Sequence, residues 1–267
     1  MSQVLSIRKW ALRIVVWATV LLLICTAPLV AEDRWPDERQ AGPFVFHANF
    51  SLDGHEHLVA DTSALQRDLN EKLGIGQLRE PVHLFLFSRK STYQKYMQQF
   101  FPAVPYRRAL FIKRRGPGMV FAHVNREFEI DVRHESTHAV LHACLSHVPL
   151  WLDEGLAEYF EVAPDERAFA NPHLKTLCRE VTSGSASTIE SLEAITGVEE
   201  MGHAQYRHAW SWAHFMLHGP VEAHDELVRY FADIKNDVPA GRLSIRLRRR
   251  LPDLDFRYTE HFRTWTK

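Results

Sequence analysis

The sequence contains little cysteine and almost no net charge. Only three of its 267 residues are cysteine, and Cys25 lies in an N-terminal apolar segment, so no disulfide framework is implied. The other two, Cys144 and Cys178, either form one disulfide bond or are small buried apolar residues. The net charge is −1, which argues against a dedicated nucleic-acid-binding protein, because such a protein needs a broadly basic face.

The apolar residues at the N-terminus are typical of an export signal. Three cations in residues 1–13 precede the uncharged run IVVWATVLLLICTAPLVA, residues 14–31. This order matches the n-region and h-region of a secretory signal. We therefore predict an extracytoplasmic protein, periplasmic or secreted. Residues 1–31 are either a cleaved signal peptide or a membrane anchor, because the run is long for the first and short for a transmembrane helix of roughly 20 residues.

The rest of the chain is predicted to be one folded domain, residues 44–267, joined to the signal by a polar linker, residues 32–43. The fold class predicted is α+β, in which a small N-terminal mixed sheet with helices (44–126) precedes a helical half (127–267), with a cleft between them. Strand patterns occur at 44–50, 81–88, 108–114 and 118–125. Helical patterns occur at 61–74, 91–101, 129–146, 152–162, 190–196, 204–218, 222–236 and 253–266.

Two histidines lie four residues apart in the motif HESTH, at the junction of the two halves. On a helix, His134 and His138 share one face, so both imidazoles can bind one ion. Glu135 is one step round the helix, where a carboxylate can reach a metal-bound water without being a ligand. The alternative is a partly buried histidine pair with a solvated glutamate, in a protein that binds no metal.

A zinc site needs a third protein ligand, at about 2.0–2.2 Å from the ion. His142 is excluded, because eight helical residues rise about 12 Å. His147 lies in the turn SHVPL, and we favour Glu154, since a reversal at this turn makes WLDEGLAEYFE a second, antiparallel helix. Glu154 and Glu158 then share a face, so that one can bind metal and the other can hydrogen-bond a ligand imidazole. Gly155 would allow a close helix approach.

The motifs HESTH and WLDEGLAEYFE resemble those of the gluzincins, metallopeptidases that hold zinc with two histidines and a glutamate. They are most similar to the peptidase MA-like bacterial family, whose third element resembles YRHAWSWAHFML here. This resemblance covers roughly residues 80–220 and is strongest at the two zinc motifs. It implies a zincin-like fold, one Zn²⁺ held by His134, His138 and Glu154, and Glu135 as the catalytic base. By analogy it also implies a supporting role for Glu158.

The resemblance does not imply aminopeptidase activity. The gap between His138 and Glu154 is shorter than in aminopeptidase relatives, and their substrate-amine motif is absent.

The function expected from these residues is that of an exported zinc metallopeptidase acting on a peptide or protein substrate. Glu135 would take a proton from the attacking water and deliver it to the leaving amine. Tyr206, His208 and Tyr159 are candidates for the donor that stabilises the oxyanion, and we favour Tyr206. The alternative is a catalytically inactive zincin-like protein that serves binding or structure.

Two further patterns concern the surface. The strand 118–125 is expected to form the sheet edge beside the cleft, where an extended peptide can add by backbone pairing. The cations in RRALFIKRRG, residues 107–116, either bind a substrate carboxylate or discourage aggregation of a sheet edge. The arginines of 242–251 are expected to form a solvated helix face.

Overall fold

The structure, a computed structural model, describes residues 34–265, and the chain from Trp35 onward forms one compact unit. The predicted export signal, residues 1–31, lies outside the described residues. None of the helices in the described part of the chain is long and apolar enough to cross a membrane.

Five strands form one mixed sheet in the N-terminal half of the unit, in the spatial order β1-β2-β3-β5-β4. The central strands β2, β3 and β5 run parallel, and each outer strand is antiparallel to its neighbour. The strands are β1 (Asp37–Ala41), β2 (Phe44–Ala48), β3 (Val82–Phe87), β4 (Ala109–Ile112) and β5 (Met119–His123).

Strand β1 lies inside the stretch predicted to be a linker, so that part of the prediction is wrong. Its polar composition hid the strand, because β1 is an outer strand in which no side chain is fully buried. Arg39 forms ion pairs with Asp37 and Asp53, which satisfies the charges at this edge. Gly42, with φ +58°, provides the tight turn into β2.

The described helices outnumber the strands and fill the chain after β5, which confirms the α+β class. No strand of the described residues follows His123. Helix α5 was not predicted, although its buried Leu177 and Val181 have helical spacing. The helices are α1 (Glu56–Leu73), α2 (Lys90–Phe100), α3 (Phe128–Cys144), α4 (Leu150–Phe160), α5 (Leu174–Thr182), α6 (Ile189–Glu193), α7 (His203–His218), α8 (Val221–Lys235), α9 (Leu243–Arg250) and α10 (Leu254–Thr264), with a 3₁₀ turn at Val198–Glu200.

Helices cover both faces of the sheet and bury the alternate side chains of its strands. On one face, Tyr93 and Met97 of α2 pack on Phe87. On the other, Leu84 and Val120 belong to the main core, which continues through α1 and α3 into the helical half. Because α3 contacts β3, β4 and β5 as well as α4, it lies where the sheet and the helical half meet.

The free edge of the sheet on the side of α3 is β4, whereas the sequence pattern favoured β5. Strand β5 lies between β3 and β4, because the chain turns back at residues 113–118 and pairs β4 with the outer side of β5. The strand that borders the predicted cleft is therefore Ala109–Ile112.

Two smaller predictions concern side chains outside the cleft. Cys144 and Cys178 are free thiols, so the alternative of a disulfide bond between them is excluded. In the arginine-rich helix α9, Arg246 and Arg248 are not simply solvated, because each forms ion pairs with carboxylates of neighbouring helices or loops. These arginines fasten α9 to the rest of the helical half.

Candidate metal centre

Three donor atoms from α3 and α4 converge on one point. His134 Nε2 lies 3.2 Å from His138 Nε2, and Glu154 Oε2 lies 3.6 Å and 3.5 Å from these two nitrogens. A tetrahedral zinc ion with bonds of about 2.0–2.1 Å separates its ligand atoms by about 3.3–3.4 Å. These atoms, the donor triangle, therefore have the spacing of three corners of a zinc tetrahedron.

Helices α3 and α4 run antiparallel, as predicted. Contacts between them show this, since residues later in α3 meet residues earlier in α4. His142 Nε2 is hydrogen-bonded to Asp153 Oδ2 at 2.9 Å, near the start of α4. His134, two turns earlier on α3, has its Nδ1 2.8 Å from Oε2 of Glu161, just after the end of α4. The turn at residues 145–149 reverses the chain and brings Glu154 between these two contacts.

Carboxylates lie close to the Nδ1 atoms of both imidazoles of the donor triangle, and one of the two contacts is a hydrogen bond. Glu161 accepts a hydrogen bond from His134 Nδ1, and Asp153 Oδ2 lies 3.0 Å from His138 Nδ1. A protonated Nδ1 leaves the Nε2 lone pair free for a metal ion, which is the usual arrangement behind zinc-binding histidines.

Glu158 was expected in this supporting role and does not fill it. Its Oε2 accepts a hydrogen bond from His173 Nε2 at 2.9 Å. Glu161 lies seven residues beyond Glu154, two helical turns further along the same face, and so reaches His134. This spacing was readable from the sequence, but nothing in it distinguished Glu161 from Glu158 as the partner of the imidazole.

The charges around the donor triangle favour a cation. Burial acts to lower the pKa of His138, but the carboxylates of Asp153 and Glu154 outweigh this effect and raise the pKa to about 10. Burial acts to raise the pKa of Glu154, but the two histidines lower it to about 2. Burial also opposes protonation of His134, yet Glu154 and Glu161 raise its pKa. Positive charge is thus stabilised at the imidazoles, and a metal ion would bind by displacing protons.

Gly155 permits the close packing of α4 against α7. A Cβ atom at this position would lie 2.4 Å from the backbone oxygen of Ala209 and 2.7 Å from its carbonyl carbon. The glycine was expected to allow a close helix approach, and the helix that approaches is α7. Because Gly155 follows Glu154 directly, this contact fixes the position of the proposed carboxylate ligand.

Glu135 lies beside the donor triangle without belonging to it. Its Oε2 accepts a hydrogen bond of 2.7 Å from the backbone N–H of Phe111 in β4. Glu135 and the donor triangle line the same cleft, and this cleft has a volume of about 430 Å³. The sheet edge therefore holds this carboxylate in the cleft, beside the donor triangle.

Of the three candidate oxyanion donors, only Tyr206 lines this cleft. Its phenol has no hydrogen-bond partner among the described residues, and burial raises its pKa, which keeps the hydroxyl protonated. His208 is instead hydrogen-bonded to Glu180, and the hydroxyl of Tyr159 is bonded to His218. Neither of those two side chains lines the cleft.

Among residues 34–265, two other groups of side chains have donor atoms close enough to share an ion, and each overlaps the donor triangle through one histidine. In the group of His138, the carboxylate of Asp153 lies beside Nδ1 of that histidine. The group of His134 includes Glu161, which is hydrogen-bonded to His134 Nδ1. Only the donor triangle contains both histidines of HESTH. The two overlapping groups are His138, His142 and Asp153, and His134, Glu158 and Glu161.

Comparison with known proteins leaves the family undetermined. No protein-family model matches the chain, and a search of curated proteins finds no match. The similarity to gluzincins stays a sequence-based prediction, and the candidate metal centre is supported by the spacing of its donor atoms.

Proposed function

We propose that this protein is an exported, zinc-dependent metallopeptidase with a zincin-like fold. The proposal rests on one observation above all, the 3.2–3.6 Å donor triangle of His134, His138 and Glu154. Two imidazoles and one carboxylate are the protein ligands of a known class of catalytic zinc sites that leaves the fourth position open. The motif HESTH and its similarity to gluzincins point to the same chemistry.

The donor triangle and Glu135 have distinct roles in the proposed peptide hydrolysis. Zinc held by His134, His138 and Glu154 would supply a Lewis acid and lower the pKa of a water molecule towards about 7. Glu135 takes the proton of the attacking water and gives it to the leaving amine. Its hydrogen bond from Phe111 N–H orients the carboxylate for this transfer.

Tyr206 is the proposed donor to the tetrahedral oxyanion. A protonated phenol in the cleft can stabilise negative charge as it develops on the substrate carbonyl oxygen. Loss of one such donor typically lowers kcat by about 10²–10³. We expect Tyr206→Phe to show a loss of this kind with its metal content unchanged.

The first test measures the metal content of the purified protein and the cleavage of a peptide library with and without a chelator. We expect one zinc per chain and cleavage that the chelator abolishes. The same donor set can bind Fe(II), so the analysis must identify the metal. A Glu154→Ala variant removes one of three ligands and should lose the metal.

Glu135→Gln separates catalysis from binding. The variant keeps the shape of the side chain and should retain zinc, because Glu135 lies outside the donor triangle. The rate of cleavage should fall about 10²–10⁴-fold, the usual contribution of a general base. Equal cleavage by the variant and the wild type would refute the assignment of the base. Bound zinc without cleavage in either would favour the inactive, zincin-like binding protein.

Export is proposed from residues 1–31 alone. The mass of the chain recovered from the extracytoplasmic fraction would test it and would also distinguish a cleaved signal from a membrane anchor.

A further inference from the structure

The metal cleft is the middle part of a longer groove. A cavity of about 660 Å³ shares His134 and Glu135 with it, and a cavity of about 1030 Å³ shares Phe111 and His142 with it. The first cavity is lined by the start of β4 and the second by residues just beyond its end. The groove therefore follows the free sheet edge on one side and α3 on the other.

The length of this groove suits an extended peptide. Helix α3 lines it from Ile130 to Cys144, a rise of about 21 Å at 1.5 Å per residue. An extended chain advances about 3.3 Å per residue, so about six residues fit along it. The metal cleft lies between the two end cavities, which leaves room for substrate residues on both sides of a cleaved bond.

The larger end cavity, here called the cationic arm, has an unbalanced charge. It is lined by Arg79, Lys113, Arg114 and Lys235, with Asp237 as its only carboxylate. All four cations are exposed, and none forms an ion pair with another of the described residues. This differs from Arg246, Arg248 and Arg250 of α9, which are paired with carboxylates.

Contacts within the cationic arm place its two lysines around one space, whereas the Arg114 guanidinium lies 5.5 Å from the centroid of the Phe101 ring. Lys113 Nζ donates a 2.7 Å hydrogen bond to the carbonyl of His142, near the end of α3. Burial raises the pKa of the Cys144 thiol, while the nearby cations Lys235 and Lys113 act against this rise. Lysines from two separate elements, the end of α8 and the end of β4, thus lie around one thiol.

The opposite end cavity, here called the acidic arm, carries the other sign. Two of its three cations are neutralised, since Arg108 pairs with Asp131 at 2.6 Å and Arg133 lies near Asp61. The third, Arg107, has no ion pair among the described residues. Carboxylates exceed cations there, so a negatively charged segment is repelled from this arm and attracted to the cationic arm. The carboxylates lining the acidic arm are Glu127, Asp131, Glu135, Glu158, Glu161 and Glu166.

We propose that the cationic arm binds carboxylates of the peptide substrate, so that the protein cleaves peptides with acidic residues on one side of the scissile bond. This inference rests on the proposed function. Lys113 follows Phe111 by two residues, about 6.6 Å along the strand. The recognised carboxylates therefore belong to substrate residues at least two positions from the cleaved bond.

The test compares internally quenched peptides that share one core sequence. Three peptides carry two glutamates before the core, two glutamates after it, or glutamines in both places, all with amidated C-termini. We expect kcat/KM for one of the two acidic peptides to exceed that of the neutral peptide about tenfold at low salt. Increasing the ionic strength should reduce this preference, because exposed charges are screened. A free C-terminus on the neutral peptide tests whether a terminal carboxylate serves as well.

Substitutions in the cationic arm identify the groups responsible. The double variant Arg79→Gln/Arg114→Gln should lose the preference. Its kcat/KM should fall about tenfold for the preferred acidic peptide and change less than twofold for the neutral peptide. The charge reversal Arg79→Glu/Arg114→Glu should disfavour the acidic peptide further. Arg249→Gln removes an exposed and unpaired arginine from α9 and is the matched control. It should leave kcat/KM for all three peptides unchanged.

A binding measurement separates failure of this inference from failure of the proposed function. A labelled acidic peptide is titrated into the Glu135→Gln variant, with and without the arginine substitutions. Cleavage without charge dependence, or equal preference for glutamates on either side, overturns the inference alone. Absence of cleavage, with binding that depends on Arg79 and Arg114, overturns the catalytic proposal and supports the cationic arm as a carboxylate site. If the protein neither cleaves nor binds the peptides, both the proposed function and this inference are overturned.

Discussion

Gly155→Ala tests whether packing between α4 and α7 determines the position of the metal ligand. The new methyl group would lie 2.4 Å from the backbone oxygen of Ala209, against an ordinary contact of 3.4 Å or more. Neither atom belongs to a flexible side chain, so the two helices must separate by about 1 Å, the difference between these distances.

The sign of the effect on stability distinguishes this account from a simple helix-propensity argument. Alanine is favoured over glycine inside a helix by about 1 kcal/mol, so without the contact the substitution would stabilise the protein. Overpacking a close interface typically costs about 1–3 kcal/mol. We therefore expect the free energy of unfolding to fall, by up to about 2 kcal/mol after this offset.

The substitution should also weaken metal binding, because Glu154 moves with α4. A carboxylate displaced by a substantial part of 1 Å no longer satisfies zinc–oxygen bonds of about 2.0–2.2 Å. Urea denaturation of the metal-free protein and competitive zinc titration measure the two effects separately.

Gly202→Ala is the control, since Gly202 has φ −94° and its new Cβ would meet only the end of the Gln205 side chain, which caps α7. It should leave zinc binding nearly unchanged and lower the stability only through this cap. A Gly155→Ala protein that is as stable as the wild type and binds zinc equally well would refute the reasoning.

Three further predictions concern other parts of the structure. Glu161→Gln should lower zinc affinity about 10–100-fold, since it removes the carboxylate that orients a ligand imidazole, whereas Glu158→Gln should change it much less; competitive titration of both variants decides between them. Phe111→Pro removes the N–H donor to Glu135 at a sheet edge that tolerates proline, so kcat should fall with zinc content retained, and Phe111→Leu, which keeps the N–H, should stay closer to wild type. Burial lowers the pKa of His214 to about 3, below the unfolded value of about 6.5, so its contribution to stability is complete above pH 6.5 and is lost as the pH falls. At pH 5 this loss is about 2 kcal/mol, and it should appear as the difference between the pH profiles, from pH 7.5 to 5, of the free energy of unfolding of the wild type and of a His214→Gln variant. Both proteins share other histidines with shifted pKa values, among them His134, His138, His218 and His261, so parallel profiles would contradict a neutral buried His214.

Periodicity within single elements was the part of the fold that the sequence predicted well. The strands at β2, β3 and β5 and most helices lie within a few residues of the predicted ranges. The same local geometry placed His134 and His138 together, because a spacing of four residues puts two side chains on one face of any helix. The reversal at 145–149 then made Glu154 a reasonable third donor.

Partners across elements depend on the path of the chain, which such short-range patterns do not encode. The pairing of β1 with β2 and the position of β4 at the free edge follow from long-range hydrogen bonds. The choice of Glu161 over Glu158 follows from how α4 lies against α3, and the bond from Phe111 to Glu135 follows from how β4 lies against it.

The order of residues alone indicates that two imidazoles and a carboxylate share one helix of this protein, because a spacing of four residues places side chains on one helical face. Which carboxylates complete and support the candidate site depends on how α4 packs against α3, since those carboxylates come from α4 and the residue after it. The tertiary structure also separated the charges of a chain whose net charge is −1 into an acidic and a cationic arm. Net composition averages over the surface, whereas a substrate meets the local charge, and that depends on which distant residues the fold places side by side.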